Sequence, residues 1–309
     1  MPIGRWYPLR WPVNFGLGDT ALVPRRPRSP LLIVDAPSLL FRAYYALPRS
    51  IKGTDGYPVN ALLGSVNVML REIEAHEPRA VVMAFGQDAA DYRVALFPDY
   101  HADRRELEAD EDIDRQFEEA PALFEAFGWE PIAFPGLEAD DVLHSYAVAE
   151  QGQGGRVLIL TGDRDMFQCV NERCSVLYLT TGKGAVMVDE AEVRRRYGVP
   201  PALVPDLIAL RGDPSDGIPG GRGIGEKTAA DLLRRHGSLE GSLAAWAGES
   251  PRVRAALREQ ADELRSFKDI ATLREVAVKP PPDRPTDRAA GAAAAEELGM
   301  KRLAARLAG

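Results

Sequence analysis

Eight carboxylates fall in four short groups along the chain: Asp35 closing Leu31-Leu32-Ile33-Val34; Glu138, Asp140 and Asp141; Asp163 and Asp165; and Asp213 and Asp216. On a helix opening after Pro135-Gly136, Glu138 and Asp141 stand three apart and share a face, with Asp140 to one side. Just after a strand, Asp163 and Asp165 point the same way. Each group has an ordinary structural use as well: an Asp after a strand caps a helix, acids favour a helix's first turn, and Asp213 or Asp216 suits an Asx turn. Gathered at one edge of one sheet, however, they would repel and desolvate each other, and hard divalent cations relieve that repulsion. Oxygen ligands without a His or Cys pair favour magnesium or manganese over zinc. Two such ions about 4 Å apart activate a water and stabilise the leaving oxygen of an in-line phosphodiester displacement. The expected chemistry is phosphoryl hydrolysis.

Strands and helices must place these acids. Leu31–Asp35, Ala80–Phe85 and Arg156–Thr161 are continuous apolar, β-branched runs of the kind that form buried parallel strands. Helical stretches lie between them, at about Asn60 to His76, Asp114 to Phe127 and Glu138 to Glu150. That alternation predicts an α/β domain with a mostly parallel sheet, whose chemistry gathers at the carboxyl ends of the strands. Asp35 and the run Thr161–Asp165 fall at those ends. After about Pro205 the strand signals stop and a helical module follows. Its turns are Gly212–Gly217 and Gly220-Gly221-Arg222-Gly223-Ile224-Gly225.

The glycine turn continues as Glu226-Lys227-Thr228 and fits neither a phosphate loop nor a strand-led dinucleotide motif. Gly223 and Gly225 let the amides at the next helix start face a nucleic-acid phosphate. From Ile218 to Gly237, Arg222, Lys227, Arg234 and Arg235 outnumber Glu226 and Asp231, a local +2 inside a chain of formal charge -8. A uniformly basic coat is excluded, and any nucleic-acid footprint is local.

The 309 residues are 45% hydrophobic and 27% charged, the profile of a soluble globular protein. The apolar runs are too short to span a bilayer. Cys169 and Cys174 with four histidines make neither a disulfide framework nor a zinc signature, so a reducing cytoplasm is expected. Residues 1–30 read as a disordered Pro- and Arg-rich arm without the apolar core of an export signal. Lys279–Arg288 reads as a Pro-rich linker and Ala289–Ala308 as an Ala-rich helix.

Several further segments complete the pattern: Tyr44-Tyr-Ala-Leu-Pro48, Asp55-Gly-Tyr-Pro-Val-Asn60, Gly136-Leu-Glu-Ala-Asp-Asp141, Leu160-Thr-Gly-Asp-Arg-Asp165, Gly212-Asp-Pro-Ser-Asp216 and Ile218–Thr228. In order and spacing, from roughly Leu31 to Pro282, the sequence resembles the bacterial 5'-3' exonuclease and flap endonuclease family, the type also found at the amino end of DNA polymerase I. The resemblance implies a PIN-like 5' nuclease domain over 31–205, with an arch at about 88–120. A helix-three-turn-helix that grips duplex DNA would occupy 206–282, and 283–309 would be linker and terminal helix. It assigns Asp35, Glu138, Asp140 and Asp141 to a first metal and Asp163, Asp165, Asp213 and Asp216 to a second, with potassium near the glycine turn. Gly221, Arg222, Gly223, Gly225, Lys227 and Thr228 would meet DNA. Tyr44 would stack on a terminal base or pack under the arch. The implied substrates are branched DNA duplexes with a free 5' end, cut to leave a 5'-phosphate. A monomer recruited by a polymerase or sliding clamp in replication and repair fits the same picture.

Two departures stand out. Phe85-Gly86 replaces the family's Phe-Asp, and Asp88 is expected to substitute in part through water. Tyr100-His101-Ala-Asp-Arg104 replaces a Tyr-Lys-Ala-x-Arg pattern. There Arg93 and Arg104 match basic positions at the scissile phosphate, and His101 would add a charged contact below about pH 6.5. Asp99 to Glu119 carries ten acids against three arginines, which is unwelcoming to a threaded strand. Two rival readings follow: a structure-specific DNA-binding protein that has lost hydrolysis, and a PIN-like ribonuclease, the latter opposed by the glycine turn.

Overall fold

The computed structural model describes residues 29–102, 110–180 and 184–309. The arm read at 1–30 therefore lies outside the described residues except for its last two, and so does Arg104.

Six strands form one sheet in the order β3-β2-β1-β4-β5-β6. They are β1 (Leu31–Asp35), β2 (Ala80–Phe85), β3 (Glu130–Ala133), β4 (Val157–Thr161), β5 (Cys174–Thr180) and β6 (Gly184–Val188). The first five run parallel, and β6 closes the edge antiparallel to β5. The mostly parallel sheet expected from the sequence is present. Ile33 pairs with Val82 on one side and Ile159 on the other, so the central strands are apolar on both faces. The chain steps outward from β1 to β2 to β3, then returns to place β4 on the far side of β1. This makes the carboxyl ends of β1 and β4 the topological switch point of the sheet.

The helices are α1 (Ala36–Ala46), α2 (Asn60–His76), α3 (Asp91–Leu96), α4 (Glu111–Ala126) and α5 (Ala139–Gly152), followed by a 3-10 turn at Asp165–Cys169. Then come α6 (Glu190–Tyr197), α7 (Val204–Arg211), α8 (Glu226–His236), α9 (Leu239–Ala244), α10 (Pro251–Glu259), α11 (Ala261–Ala271), α12 (Arg288–Glu297) and α13 (Lys301–Ala308).

Alternation along β1 divides the core in two. Leu31 and Ile33 face a cluster containing Val142 and Tyr146 of α5, Phe167, and then Leu207, Ile208, Leu232, Leu233 and Phe267. The helical module thus shares its core with one face of the sheet. Leu32 and Val34 face the other cluster, with Leu39, Leu62, Met69, Phe117 and Phe124. Ala295 and Leu303 of the terminal helices pack there too. The Ala-rich end is two helices rather than the one expected, because Gly299 turns the chain at φ 82°.

Candidate active site

Asp35 ends β1 and caps α1: its Oδ1 accepts the Ser38 N–H at 2.9 Å. Its other oxygen accepts the Thr161 hydroxyl at 2.7 Å across the β1–β4 pair. Thr161 Oγ1 in turn accepts the Asp163 N–H at 2.9 Å, and Asp163 Oδ1 accepts the Asp165 N–H at 2.8 Å. Structural capping and pocket building are therefore the same set of bonds.

Asp140 comes in from the first turn of α5. Loss of solvent pushes its carboxyl well above the usual range, and Asp163, Asp35 and Glu138 push it further, against the pull of Arg93. Asp165 is raised in the same way, first by burial and then by Asp163, Asp216, Asp213 and Asp140. Acids from all four sequence groups thus act on one another at the switch point. Among the described residues, no three His, Cys, Asp or Glu side chains already close around one point as a cation site. Like charges gathered in a half-buried crevice repel, and the all-oxygen donor set suits a hard cation that would draw them together.

Glu138 and Asp141 look elsewhere. Glu138 Oε1 accepts the Ala90 N–H at 2.7 Å; Oε2 accepts the Tyr100 hydroxyl at 3.0 Å and lies 2.7 Å from Arg93 Nη1. Asp141 is fully buried and accepts from Tyr92 OH at 2.9 Å, Arg93 Nη2 at 3.0 Å and the Arg274 N–H at 2.9 Å. Arg93, which the sequence put at the scissile phosphate, is 2% exposed, and its Nε donates to Ile270 O at 3.1 Å. Burial works against its charge, but Glu138 and Asp141 hold the guanidinium firmly protonated.

Gly86 leaves no room for the acid usual in the family. A Cβ there would meet Ala139 N and the Glu138 carbonyl carbon and lie 2.8 Å from Glu138 Cα. The start of α5 packs directly against the chain just after β2. Asp88 is exposed, and its carbonyl oxygen lies 2.6 Å from His101 Nδ1.

His101, expected to add a charged contact at a phosphate, lies inside the fold. It is 5% exposed, stacks on Tyr100 with ring centroids 4.0 Å apart, and places Nε2 3.0 Å from Asp216 Oδ1. Its backbone sits at φ 52° and its N–H donates to Asp216 O at 3.1 Å. Tyr44 is likewise buried, with its hydroxyl on Asp110 Oδ2 at 2.9 Å and the Arg49 guanidinium 4.6 Å from its ring, while Tyr45 beside it is 76% exposed. Helix geometry decides this, because Tyr44 falls on the packed face of α1 and Tyr45 off it.

Sequence reasoning missed Arg42. It lies seven residues after Asp35 on the helix that Asp35 caps, so it returns to the same side two turns on. A Cβ on Gly162 would stand 2.5 Å from Arg42 Nη2, and Arg42 Nε is buried with no hydrogen-bond partner among the described residues. The missed signal was the Asp-to-Arg spacing, which means little until a helix is placed directly after the strand.

Asp213, Asp216 and the glycine turn belong to one loop. Asp213 and Ile218 exchange backbone hydrogen bonds at 2.8 Å, and the Gly221 N–H donates to Leu210 O at 2.8 Å. Gly223 has φ 76°, and a side chain there would run into the Arg252 guanidinium. Gly225 precedes α8 with open space around it and no side-chain cap on the helix. Arg222 and Lys227 are exposed and Thr228 half-buried. Arg235 is taken up by Asp231 and Glu249, at 2.9 Å and 2.5 Å, while Arg234 stays exposed 3.5 Å from Asp231, so the turn and Arg234 carry the basic side.

A sheet whose switch point is walled with acids, joined to a helical module with a glycine turn, has clear relatives. A family model described as "5'-3' exonuclease, N-terminal resolvase-like domain" matches residues 30–198, and "5'-3' exonuclease, C-terminal SAM fold" matches 199–284. A 5'-3' exonuclease of Streptomyces coelicolor is 39% identical over 270 residues, 82% of this chain and 89% of that protein. One of Mycobacterium tuberculosis is 40% identical over 238 residues, 71% of this chain and 74% of that protein. DNA polymerase I of Mycobacterium bovis is 33% identical over 87% of this chain and 30% of its own length. Among solved structures, T5 5'-exonuclease with bound zinc superposes with TM-score 0.65 at 19% identity, covering 90% of this chain and 96% of that one. The Rad2 catalytic core in complex with DNA substrate gives 0.58 at 16%, covering 91% and 93%. The chain belongs to the 5'-3' exonuclease family and is a nuclease enzyme. Among the described residues no helix is long and apolar enough to cross a membrane.

Proposed function

We propose that this chain is a divalent-metal-dependent 5' nuclease that hydrolyses DNA phosphodiesters at free 5' ends and flaps. The observation that carries the reading is the bonded relay Asp35–Thr161–Asp163–Asp165 across the β1–β4 switch point, with Asp140, Asp213 and Asp216 close enough to press on its acids. Asp35 and Asp140 would hold one magnesium or manganese ion, and Asp163, Asp165, Asp213 and Asp216 another; Glu138, tied to Arg93, the Tyr100 hydroxyl and the Ala90 N–H, borders the first. Such ions supply an activated water and charge for the leaving oxygen.

The chain's own groups bind and orient. Arg42 faces the same crevice with an unmatched Nε, suited to a substrate phosphate. The amides that open α8, with Arg222, Lys227 and Thr228, grip the duplex at a helix N-terminus, and a potassium ion at that turn belongs to the same reading. His101 ties the arch base to Asp216 rather than standing ready at a phosphate. Arg104 remains the candidate phosphate contact of the arch. Work as a cytoplasmic monomer in replication and repair, alongside a polymerase or sliding clamp, is the setting this activity fits.

A labelled 5'-flap duplex with magnesium or manganese tests it. The parent should release a 5'-phosphate product, and Asp163→Asn or chelation should stop release while DNA binding persists. Tight flap binding without cleavage under either metal would favour the non-hydrolytic reading, to which the filled position at Gly86 lends its weight. Faster cutting of the same flap made of RNA would favour the ribonuclease.

A further inference from the structure

One of the four acids assigned to a first metal, Asp141, is turned away from the pocket. Asp141 shares the first turn of α5 with Asp140, yet its carboxylate is fully buried and already engaged by the Tyr92 hydroxyl, Arg93 Nη2 and the Arg274 N–H. These donors come from two distant segments, Tyr92 and Arg93 of the arch-base helix α3, and the stretch that leaves α11.

That stretch is fastened to both halves of the pocket. On the α5 side, the Arg274 N–H holds Asp141 and the Val276 N–H donates to Ser145 Oγ at 3.0 Å, while the Ser145 hydroxyl donates to Asp141 O at 2.7 Å. On the other side, Gln168 Nε2 donates to Ala271 O at 2.9 Å and Gln168 Oε1 accepts the Leu273 N–H at 3.3 Å, three residues on from Asp165. Arg93 closes the set by donating to Ile270 O at 3.1 Å. The Arg274 guanidinium lies 3.3 Å from the Tyr92 ring centroid, a cation–π contact on the tyrosine that holds Asp141.

We infer that Asp141 is a positioning residue and not an ion ligand: with Arg93 it pins the arch base and the segment leaving α11 onto α5, fixing the DNA-gripping module against the pocket. The inference rests on the nuclease reading above. Charge counting separates the two roles. One buried guanidinium serves two carboxylates, so neutralising Asp141 leaves a balanced Arg93–Glu138 pair, whereas removing Arg93 leaves two buried acids unmatched. A ligand role predicts the opposite order of damage, with Asp141 the residue whose loss strips an ion.

The experiment uses the full chain. Manganese binding to the DNA-free protein is measured by calorimetry for the parent, Asp140→Asn and Asp141→Asn. Asp140→Asn should weaken binding at least ~10-fold, and Asp141→Asn should stay within about 3-fold of the parent. On a 5' flap, Asp141→Asn should raise KM about 10-fold with a much smaller change in kcat, the mark of a substrate held out of place. In thermal melts, the double variant Arg93→Gln/Asp141→Asn should melt above Arg93→Gln alone, because the second change removes an unmatched buried charge. Loss of manganese binding in Asp141→Asn comparable to that in Asp140→Asn would overturn the inference, and so would a double variant no more stable than Arg93→Gln. Normal manganese binding by Asp140→Asn would instead sink the ion pocket of the nuclease reading and leave the Asp141 result standing.

Discussion

Thr161 donates its hydroxyl to Asp35 at 2.7 Å and receives the Asp163 N–H at 2.9 Å, so one side chain joins the ends of β1 and β4 at the switch point of the sheet. Thr161 is fully buried, and both bonds vanish in a valine of nearly the same shape. Thr161→Val should destabilise the fold by about 1–3 kcal/mol, since it leaves the part-buried Asp163 N–H without its acceptor and the buried Asp35 oxygen without its donor. It should also slow flap cleavage, because the two acids lose their common brace. Urea unfolding and single-turnover cleavage read the two effects, and a variant equal to the parent in both would remove the bridge from the account.

Restoring the family's acid at Gly86 should harm rather than help. The position is occupied by the backbone of Glu138 and Ala139, with Glu138 Cα only 2.8 Å from where a Cβ would stand. Neither neighbouring group is a flexible side-chain end, so the start of α5 must retreat. Gly86→Asp should therefore lower stability by about 1–3 kcal/mol and fail to tighten manganese binding. A variant that binds manganese more strongly and melts no lower would show that α5 can yield.

The pocket was readable because strand ends and helix starts are local features, and Asp35, Asp140, Asp163 and Asp165 sit on them. The parallel sheet was readable in β1, β2 and β4, whose apolar runs are unbroken. Helix α1 and strands β3, β5 and β6 were not. β3 is four residues with a proline at its second place, too short for periodicity to register. β6 leaves Val186 and Met187 40% and 49% exposed at the sheet edge, so it lacks the pattern of a buried strand. The roles of Glu138, Asp141 and Arg93 depend on contacts across 48 positions in the case of Arg93 and Asp141, which no local spacing announces. His101 and Tyr44 show the same limit: local spacing left open whether Tyr44 stacks on a base or packs under the arch, and it gave no sign of the Asp88 and Asp216 contacts that bury His101.

Arg42 should matter to catalysis without mattering to the fold. It is half-buried on α1, beside Gly162 at the end of β4, and its Nε has no partner among the described residues. Arg42→Ala should lower kcat/KM on a 5' flap about 100-fold, the range seen when a preorganised donor to a developing charge is removed. Lysine keeps the charge but loses the planar fork, so Arg42→Lys should recover part of the activity. Melting temperatures should be nearly unchanged in both. Full activity in Arg42→Ala would return this residue to an ordinary surface role.

His144 sets a pH dependence that can be isolated by substitution. It lies half-buried on α5, with Nδ1 3.4 Å from Cys169 Sγ. Loss of solvent pulls its imidazole below the usual value of 6.5, against the opposing pull of Glu275 and Asp141. The folded chain therefore binds this proton more weakly than the unfolded chain does. The contribution of neutral His144 is complete above pH 6.5 and is lost as pH falls from there toward the lower folded value, where the unfolded state takes up its proton first. The informative quantity is the difference between the parent and His144→Gln. Melting temperatures of the pair, followed from about pH 8 to pH 5, should diverge on the acid side, with the parent falling more steeply. Curves that stay parallel across the series would mean that the folded state carries this proton as readily as the unfolded one.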